Sequence, residues 1–165
     1  SIGAGKECPN GDLKLRYRGG MTTINSADVS SGKEMINEWK VIVSKAAAEH
    51  AGQSDRNGQR KMLTVIEELP PKTVSSETYL VVDSVKDKRT ADNLLRYIKT
   101  KFVRYLIWQA TPTQNISKGC FMFVPDIDLT EEPTDMGLYR QFELTEKEIE
   151  EIERKIKPHG QVDGE

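Results

Sequence analysis

The chain of 165 residues has few of the side chains that build metal sites and disulfide frameworks. Cys8 and Cys120 are its only cysteines, and His50 and His159 are its only histidines. None of them stands in a CxxC pair or at metal-ligand spacing, so we expect two ordinary reduced thiols and no zinc site. No apolar run approaches the roughly 18 residues of a membrane-spanning helix. The composition therefore predicts a soluble, cytoplasmic protein.

Motifs of several common enzyme classes are also missing from the chain. There is no Gly-x-Ser-x-Gly, no GxxxxGK followed by Ser or Thr, and no GxGxxG placed between a strand and a helix. The first motif carries a hydrolase nucleophile, and the other two hold nucleotide phosphates. We therefore expect no catalytic residue, no metal and no cofactor within these 165 residues.

Charge is distributed unevenly along the chain, although the net charge is only −2. Residues 1–120 contain 19 Lys and Arg against 13 Asp and Glu, whereas residues 121–165 contain 5 against 13. A basic body with a separate acidic end is typical of a protein that binds a polyanion on one face. A solvated acidic helix would give the same pattern at the end, so charge alone leaves both interpretations open.

Residue alternation in DLKLRYRGG predicts a strand with one apolar and one cationic face. The cationic face carries Lys14, Arg16 and Arg18, and three like charges side by side favour contact with phosphates. Nearly continuous apolar runs predict buried strands at residues 39–43 and 78–82, with another strand inside MLTVIEELPP.

Two polar segments are candidate recognition loops. Residues 45–61 form a long connection, and long connections in compact domains are usually functional or disordered. Residues 113–118 supply amides, hydroxyls and a lysine, which can bond base edges and phosphates. The same polar side chains could instead fix their own backbone by local hydrogen bonds. The candidate DNA-contacting residues in the two segments are Lys45, His50, Arg56, Arg60, Lys61, Thr113, Gln114, Asn115, Ser117 and Lys118.

Apolar residues at spacings of three and four predict one long helix from about Thr90 to Ala110, with Thr90 as its N-cap. The run CFMFV that follows, residues 120–124, predicts a further strand. Thr145 and Glu148 have the spacing of a capping box at the start of an acidic C-terminal helix.

These elements predict the α+β fold class. We expect a mixed or antiparallel sheet, one long packed helix and the acidic C-terminal helix. They should form a single domain, with flexible ends at residues 1–12 and 159–165.

A magnesium-dependent nuclease is an alternative from a different functional class. Glu38 and Lys40 form a Glu-x-Lys at the start of a predicted buried strand, and Asp28 lies ten residues upstream. Such a trio can hold a magnesium ion and a hydrolytic water. Glu-x-Lys also occurs by chance in charged chains, and Asp28 does not lie in a predicted strand, so the signal is weak.

Five segments follow one another in a distinctive order: WKVIVSKA, ETYLVVDS, YIKTKFVRYLI, TQNISKGCFMFVPDIDLTEE and LTEKEIEEIERKI. Together they resemble the C-terminal target-recognition region of bacterial restriction-modification enzymes that have an adenine-specific DNA methyltransferase core. The resemblance is to the TaqI-like and type I specificity-subunit kind, and it spans roughly residues 37–158.

The resemblance implies a domain that recognises a specific duplex DNA sequence beside the catalytic part of its parent chain. The family's Asn-Pro-Pro-Tyr/Phe motif and its glycine-rich S-adenosylmethionine motif are absent here. We therefore expect no methyltransferase activity, with S-adenosylmethionine and magnesium used elsewhere in a longer parent protein. A docking module that binds the parent enzyme but no DNA, through the 94–107 helix or the C-terminal helix, stays open.

Overall fold

The computed structural model describes residues 10–46, 58–60, 62–111 and 115–160. The described residues form two three-stranded sheets and four α-helices, which confirms the predicted α+β class. The strands are β1 (Leu13–Tyr17), β2 (Gly20–Ile24), β3 (Trp39–Ser44), β4 (Ile66–Leu69), β5 (Thr73–Ser75) and β6 (Tyr79–Val85). The helices are α1 (Lys88–Lys99), α2 (Lys101–Gln109), α3 (Asp135–Gln141) and α4 (Glu146–Lys155). None of these helices has the length and apolar character needed to cross a membrane.

The first sheet is mixed and has the order β2-β1-β5. β1 and β2 form an antiparallel hairpin, whereas β1 and β5 are parallel, with Lys14 opposite Thr73. Gly20 opens β2 with φ of 141°, a backbone conformation that side-chain-bearing residues rarely adopt. The alternation in DLKLRYRGG is confirmed, because Leu13 and Leu15 are buried with Ile24 in a small core.

The second sheet is antiparallel and has the order β4-β3-β6. Val41 and Val43 of the central strand β3 join the main core with the four helices, while Ile42 packs with Leu69 and Tyr79 in a separate cluster. Successive side chains of a strand point to opposite faces, so β3 is buried on both. This explains its nearly continuous apolar sequence.

The predicted long helix is wrong in one respect, because Thr100 divides it into α1 and α2. Thr100 is extended, with φ of −60° and ψ of 151°. Its hydroxyl donates a hydrogen bond to the carbonyl of Tyr97 (2.7 Å) and accepts one from the backbone N–H of Val103 (3.2 Å). Thr100 therefore ends one helix and caps the next. The first N-cap is Asp87 and not Thr90, since the Asp87 carboxylate accepts from the Thr90 N–H.

Replacing Thr100 by alanine is expected to lower the free energy of unfolding by about 1 kcal/mol, because the change removes an N-cap. Urea denaturation followed by circular dichroism measures the change. The matched control is Thr100→Ser, which keeps the hydroxyl and should lose much less. Equal losses in the two variants would show that the hydroxyl is not what stabilises this junction.

Two further elements differ from the sequence predictions, and one agrees. Residues 120–124 do not form a strand; a 3-10 turn covers Lys118–Phe121 instead. Helix α3 had no predicted counterpart. The capping box is confirmed, because the Thr145 side chain accepts from the N–H of Glu148 while the Glu148 carboxylate accepts from the N–H of Thr145. Near the first predicted flexible end, Asp12 accepts a 2.7 Å hydrogen bond from the N–H of Ser26.

Candidate nucleic-acid interface

The end of β3 and the polar 113–118 run meet in the structure. Ala46 forms an antiparallel bridge with Asn115, and the N–H of Ile116 donates to the carbonyl of Lys45 (2.9 Å). The N–H of Lys45 in turn donates to the carbonyl of Thr78 (2.9 Å). The start of the first candidate loop therefore lies beside the second, although the two are far apart in sequence.

Two buried side chains fix the second loop, residues 113–118, to the core. Ile116 and Cys120 are 4% and 2% exposed, whereas residues 117–119 between them are exposed. The N–H of Ser117 donates to Sγ of Cys120 (3.5 Å), which tightens the 3-10 turn. Burial opposes the thiolate, but hydrogen bonds from Ser117 and Thr111 outweigh this and lower the pKa of Cys120. Local bonds thus fix the backbone of this segment, one of the two interpretations that its sequence left open.

Polar side chains remain accessible on this anchored backbone. Asn115, Ser117 and Lys118 are exposed, and Lys45 beside them is half-buried. We call these four residues the junction surface. It offers two cations, an amide and a hydroxyl on a backbone that is already ordered. Such groups can bond phosphates and base edges.

The far end of the first loop is fixed at a different place. The N–H of Arg60 donates to the carbonyl of Lys155 (2.7 Å), and the N–H of Lys157 donates to the carbonyl of Arg60 (3.1 Å). The Arg60 guanidinium lies 4.6 Å from the centroid of the Trp108 ring, in cation–π geometry. Arg60 therefore joins the first loop to α2 and to the C-terminal end of α4.

Several predicted contact residues lie outside the described residues. They are His50, Arg56, Lys61, Thr113 and Gln114.

The cationic face of β1 is only partly available to a ligand. Lys14 and Arg18 are exposed, but Arg16 forms a two-point ion pair with Glu67 of β4, with both N–O distances 2.7 Å. The Arg16 guanidinium also lies 5.2 Å from the Tyr79 ring centroid. Hydrogen bonding to Arg16 lowers the pKa of Glu67, so the pair is charged at neutral pH. Arg16 thus connects the two sheets and is not free to bind phosphate.

The residues of the nuclease hypothesis have other partners. The Lys40 ammonium is buried and donates to the carbonyls of Met35 (2.7 Å) and Glu38 (2.6 Å). The Glu38 carboxylate accepts a hydrogen bond from the hydroxyl of Ser84 (2.5 Å). Within the part of the chain that the structure describes, no three His, Cys, Asp or Glu side chains come together as a metal-binding group. This geometry does not favour a magnesium centre at Asp28, Glu38 and Lys40.

One neighbour of the junction surface had no signal in the sequence. Thr78 is exposed beside Lys45, and its hydroxyl lies 2.7 Å from that of Ser76. The segment SSET that contains both looks like an ordinary turn before a strand. Only the pairing of Lys45 with Thr78 places these hydroxyls beside the candidate interface.

Comparison with protein-family models, with curated proteins and with solved structures finds no match to this chain. The resemblance to target-recognition regions therefore stays a prediction from the sequence.

Proposed function

We propose that this chain is a target-recognition domain that reads a specific duplex DNA sequence for a bacterial restriction-modification enzyme in the cytoplasm. The observation that carries the proposal is the Ala46–Asn115 bridge, because it joins the two donor-rich loops at the junction surface. The sequence resemblance supplies the enzyme class. The catalytic part of the parent protein would use S-adenosylmethionine and magnesium.

The chemistry of the junction surface suits this function. Lys45 and Lys118 can neutralise phosphates, and an amide such as that of Asn115 can bond two atoms of an adenine edge in the major groove. Because the backbone at Ile116 is already bonded to Lys45, little conformational freedom is lost there on binding. Thr113, Gln114, His50, Arg56 and Lys61 extend the proposed contact set from the sequence alone. Lys14 and Arg18 are exposed cations that would add phosphate contacts, whereas Arg16 is left out.

The first experiment is selection of bound duplexes from a randomised DNA pool at low salt, followed by sequencing. We expect enrichment of one short motif, which would also name the target. Retention without enrichment would indicate a charge-driven contact only. An absence of retention would favour the docking module that binds no DNA.

A second experiment tests which surface makes the contact. The double variant Lys45→Ala/Lys118→Ala should weaken binding to all duplexes alike, and the slope of log Kd against log salt should fall by about 2, roughly 0.9 for each phosphate contact. The matched control is Lys33→Ala/Lys147→Ala, which removes the same charge from exposed lysines elsewhere. If both variants change the slope equally, the junction surface is not the DNA contact.

A further inference from the structure

The outer edge of β6 has no partner strand among the described residues. β6 pairs with β3 on one side and is the last strand of its sheet. The pairing skips Val82, because Val41 lies opposite Asp83 while Ile42 lies opposite Val81. Edge strands present unpaired N–H and C=O groups, which an added strand can bond. The bulge at Val82 limits the length over which such pairing can run.

A segment without regular secondary structure, Val124–Leu129, faces this edge. We call it the wall segment. Two buried side chains of α1 hold it: the Tyr97 hydroxyl donates to the carbonyl of Pro125 (2.7 Å), and the Asn93 amide donates to the carbonyl of Leu129 (2.8 Å). Burial and the charge of Asp126 raise the pKa of Tyr97, so the hydroxyl keeps its proton. The two hydrogen bonds from α1 therefore hold the wall segment in a defined position.

A groove of about 480 Å³ lies between β6 and the wall segment. We call it the β6 groove. Four consecutive β6 residues, Leu80–Asp83, line one side, and Leu94 and Ile98 of α1 contribute apolar floor. A strand residue occupies about 160 Å³, from a rise of about 3.3 Å, a strand spacing of about 4.8 Å and a sheet spacing of about 10 Å. The groove thus accommodates about three residues of an extended chain.

The surroundings of the groove indicate what would bind there. Asp83 and Asp126 line it and are exposed, and Lys118 is the only cation among the described residues that line it. Met122 and Phe123, immediately before the wall segment, are 71% and 57% exposed. Met122 and Phe123 do not line the groove, but they lie in the chain between Phe121 and Val124, which do, and exposed apolar surface that adjoins an apolar groove can serve as a contact surface for another protein. The apolar surface and the excess of acid together favour an apolar, basic ligand.

We propose that the β6 groove binds an extended segment of a partner protein, which adds a short strand to β6. The segment carries apolar residues at alternate positions, packed on Met122 and Phe123, and a lysine or arginine facing Asp83 and Asp126. This inference does not rest on DNA binding. Because Lys118 belongs to both the groove and the junction surface, the partner would be placed next to any bound DNA.

The test is selection from a display library of random eight-residue peptides on the immobilised chain. We expect enrichment of an apolar–x–apolar pattern flanked by Lys or Arg. For a selected synthetic peptide, Met122→Ser/Phe123→Ser should weaken binding by about tenfold or more, as expected for interface anchors. The control Met136→Ser, at a residue that is 56% exposed on α3, should leave binding unchanged.

N-methylation of alternate backbone nitrogens in the peptide tests strand addition directly, because it removes the N–H donors that pair with β6. One of the two methylation registers should abolish binding, while Lys45→Ala should have no effect. No enriched pattern, or binding that tolerates both methylation registers or the Met122/Phe123 change, would overturn the proposal. A dimer in sedimentation that is lost on Met122→Ser/Phe123→Ser would assign the groove to a second copy and would overturn it too.

Discussion

Replacement of Arg104 by alanine is expected to lower the free energy of unfolding by about 4 kcal/mol, the largest effect of any single polar change in the described fold. Arg104 is 1% exposed. Its Nε donates to the carbonyls of Lys99 (3.0 Å) and Thr100 (3.2 Å), and its Nη1 donates to that of Lys157 (2.7 Å). Alanine would leave the carbonyls of Lys99 and Lys157 without this donor and would open a cavity, while the carbonyl of Thr100 keeps the N–H of residue 104.

Arg104 matters because of where these acceptors lie. The carbonyls of the last turn of a helix have no partner within the helix, and here α1 ends inside the core. Arg104 bonds the carbonyls of Lys99 and Thr100 at this end and also connects Lys157 to the helix pair. Burial lowers the pKa of Arg104 to about 10, so the side chain is still charged at pH 7.

Urea denaturation of Arg104→Ala and Arg104→Lys at pH 7 measures the effect. Lysine keeps the charge but has no planar set of donors, so we expect about half of the loss. A loss below about 1 kcal/mol in the alanine variant would show that water replaces the guanidinium, contrary to the burial of the site.

Replacement of Lys40 by methionine is the second large effect, with an expected loss of about 2 kcal/mol at pH 7. Lys40 lies on the central strand β3 and is 3% exposed. Its ammonium donates to the carbonyls of Met35 and Glu38, which belong to the segment before the strand. Methionine has a similar length but no hydrogen-bond donor. The change therefore leaves the two carbonyls without the ammonium, and the segment before β3 is held less firmly.

Lys40 also gives the stability a defined pH dependence. Burial lowers its pKa to about 8 in the folded chain, from 10.5 in the unfolded chain, although the charge of Glu38 acts in the opposite direction. Between these two values the unfolded chain binds more protons, so the free energy of unfolding rises with pH. The difference between the wild type and Lys40→Met should therefore widen by about 2–3 kcal/mol from pH 8 to pH 10.5 and stay nearly constant below about pH 7.

Denaturation curves of the two proteins at a series of pH values measure this difference. Lys33→Met is the control, because Lys33 is an exposed lysine in the same segment and its loss should give no such widening. A difference that narrows above pH 8 would mean that the carbonyls favour the ammonium more strongly than burial disfavours it.

The elements that the sequence predicted well are those whose burial follows a simple period. The hairpin strand β1 alternates, β3 is apolar from Val41 to Val43 because both faces are covered, and α4 carries its own capping box. In each case the decisive information is local. A strand or helix with one dominant environment repeats that environment along its sequence.

The predictions failed where composition and period alone do not decide the outcome. The CFMFV run has the composition of a buried strand, yet Met122 and Phe123 are exposed. Thr100 breaks a helical period because its own hydroxyl forms better bonds in an extended conformation. Arg16 resembled a surface cation because its partner Glu67 lies on another strand, 51 positions away.

The candidate interface was predicted only as two separate loops. Donor-rich composition identified residues 45–61 and 113–118, but composition does not state that the loops touch. Their contact depends on the Ala46–Asn115 bridge, for which neither segment has a local sequence signature. The β6 groove had no sequence signal at all, because the walls come from a strand and a segment that are distant along the chain.

The two isolated bridges also constrain how the molecule can fold. Ala46 and Asn115 are 69 positions apart, and Arg60 and Ile156 are 96 apart. Contacts at such separations raise the contact order, so we expect folding on the slower timescale of mixed and β-rich domains. During synthesis Arg60 leaves the ribosome long before Ile156 exists, so the Arg60 end of the first loop cannot be fixed until α4 has been made. The Ala46–Asn115 bridge that positions the junction surface needs only the chain as far as Asn115, so that surface can form before the Arg60 end of the loop is fixed.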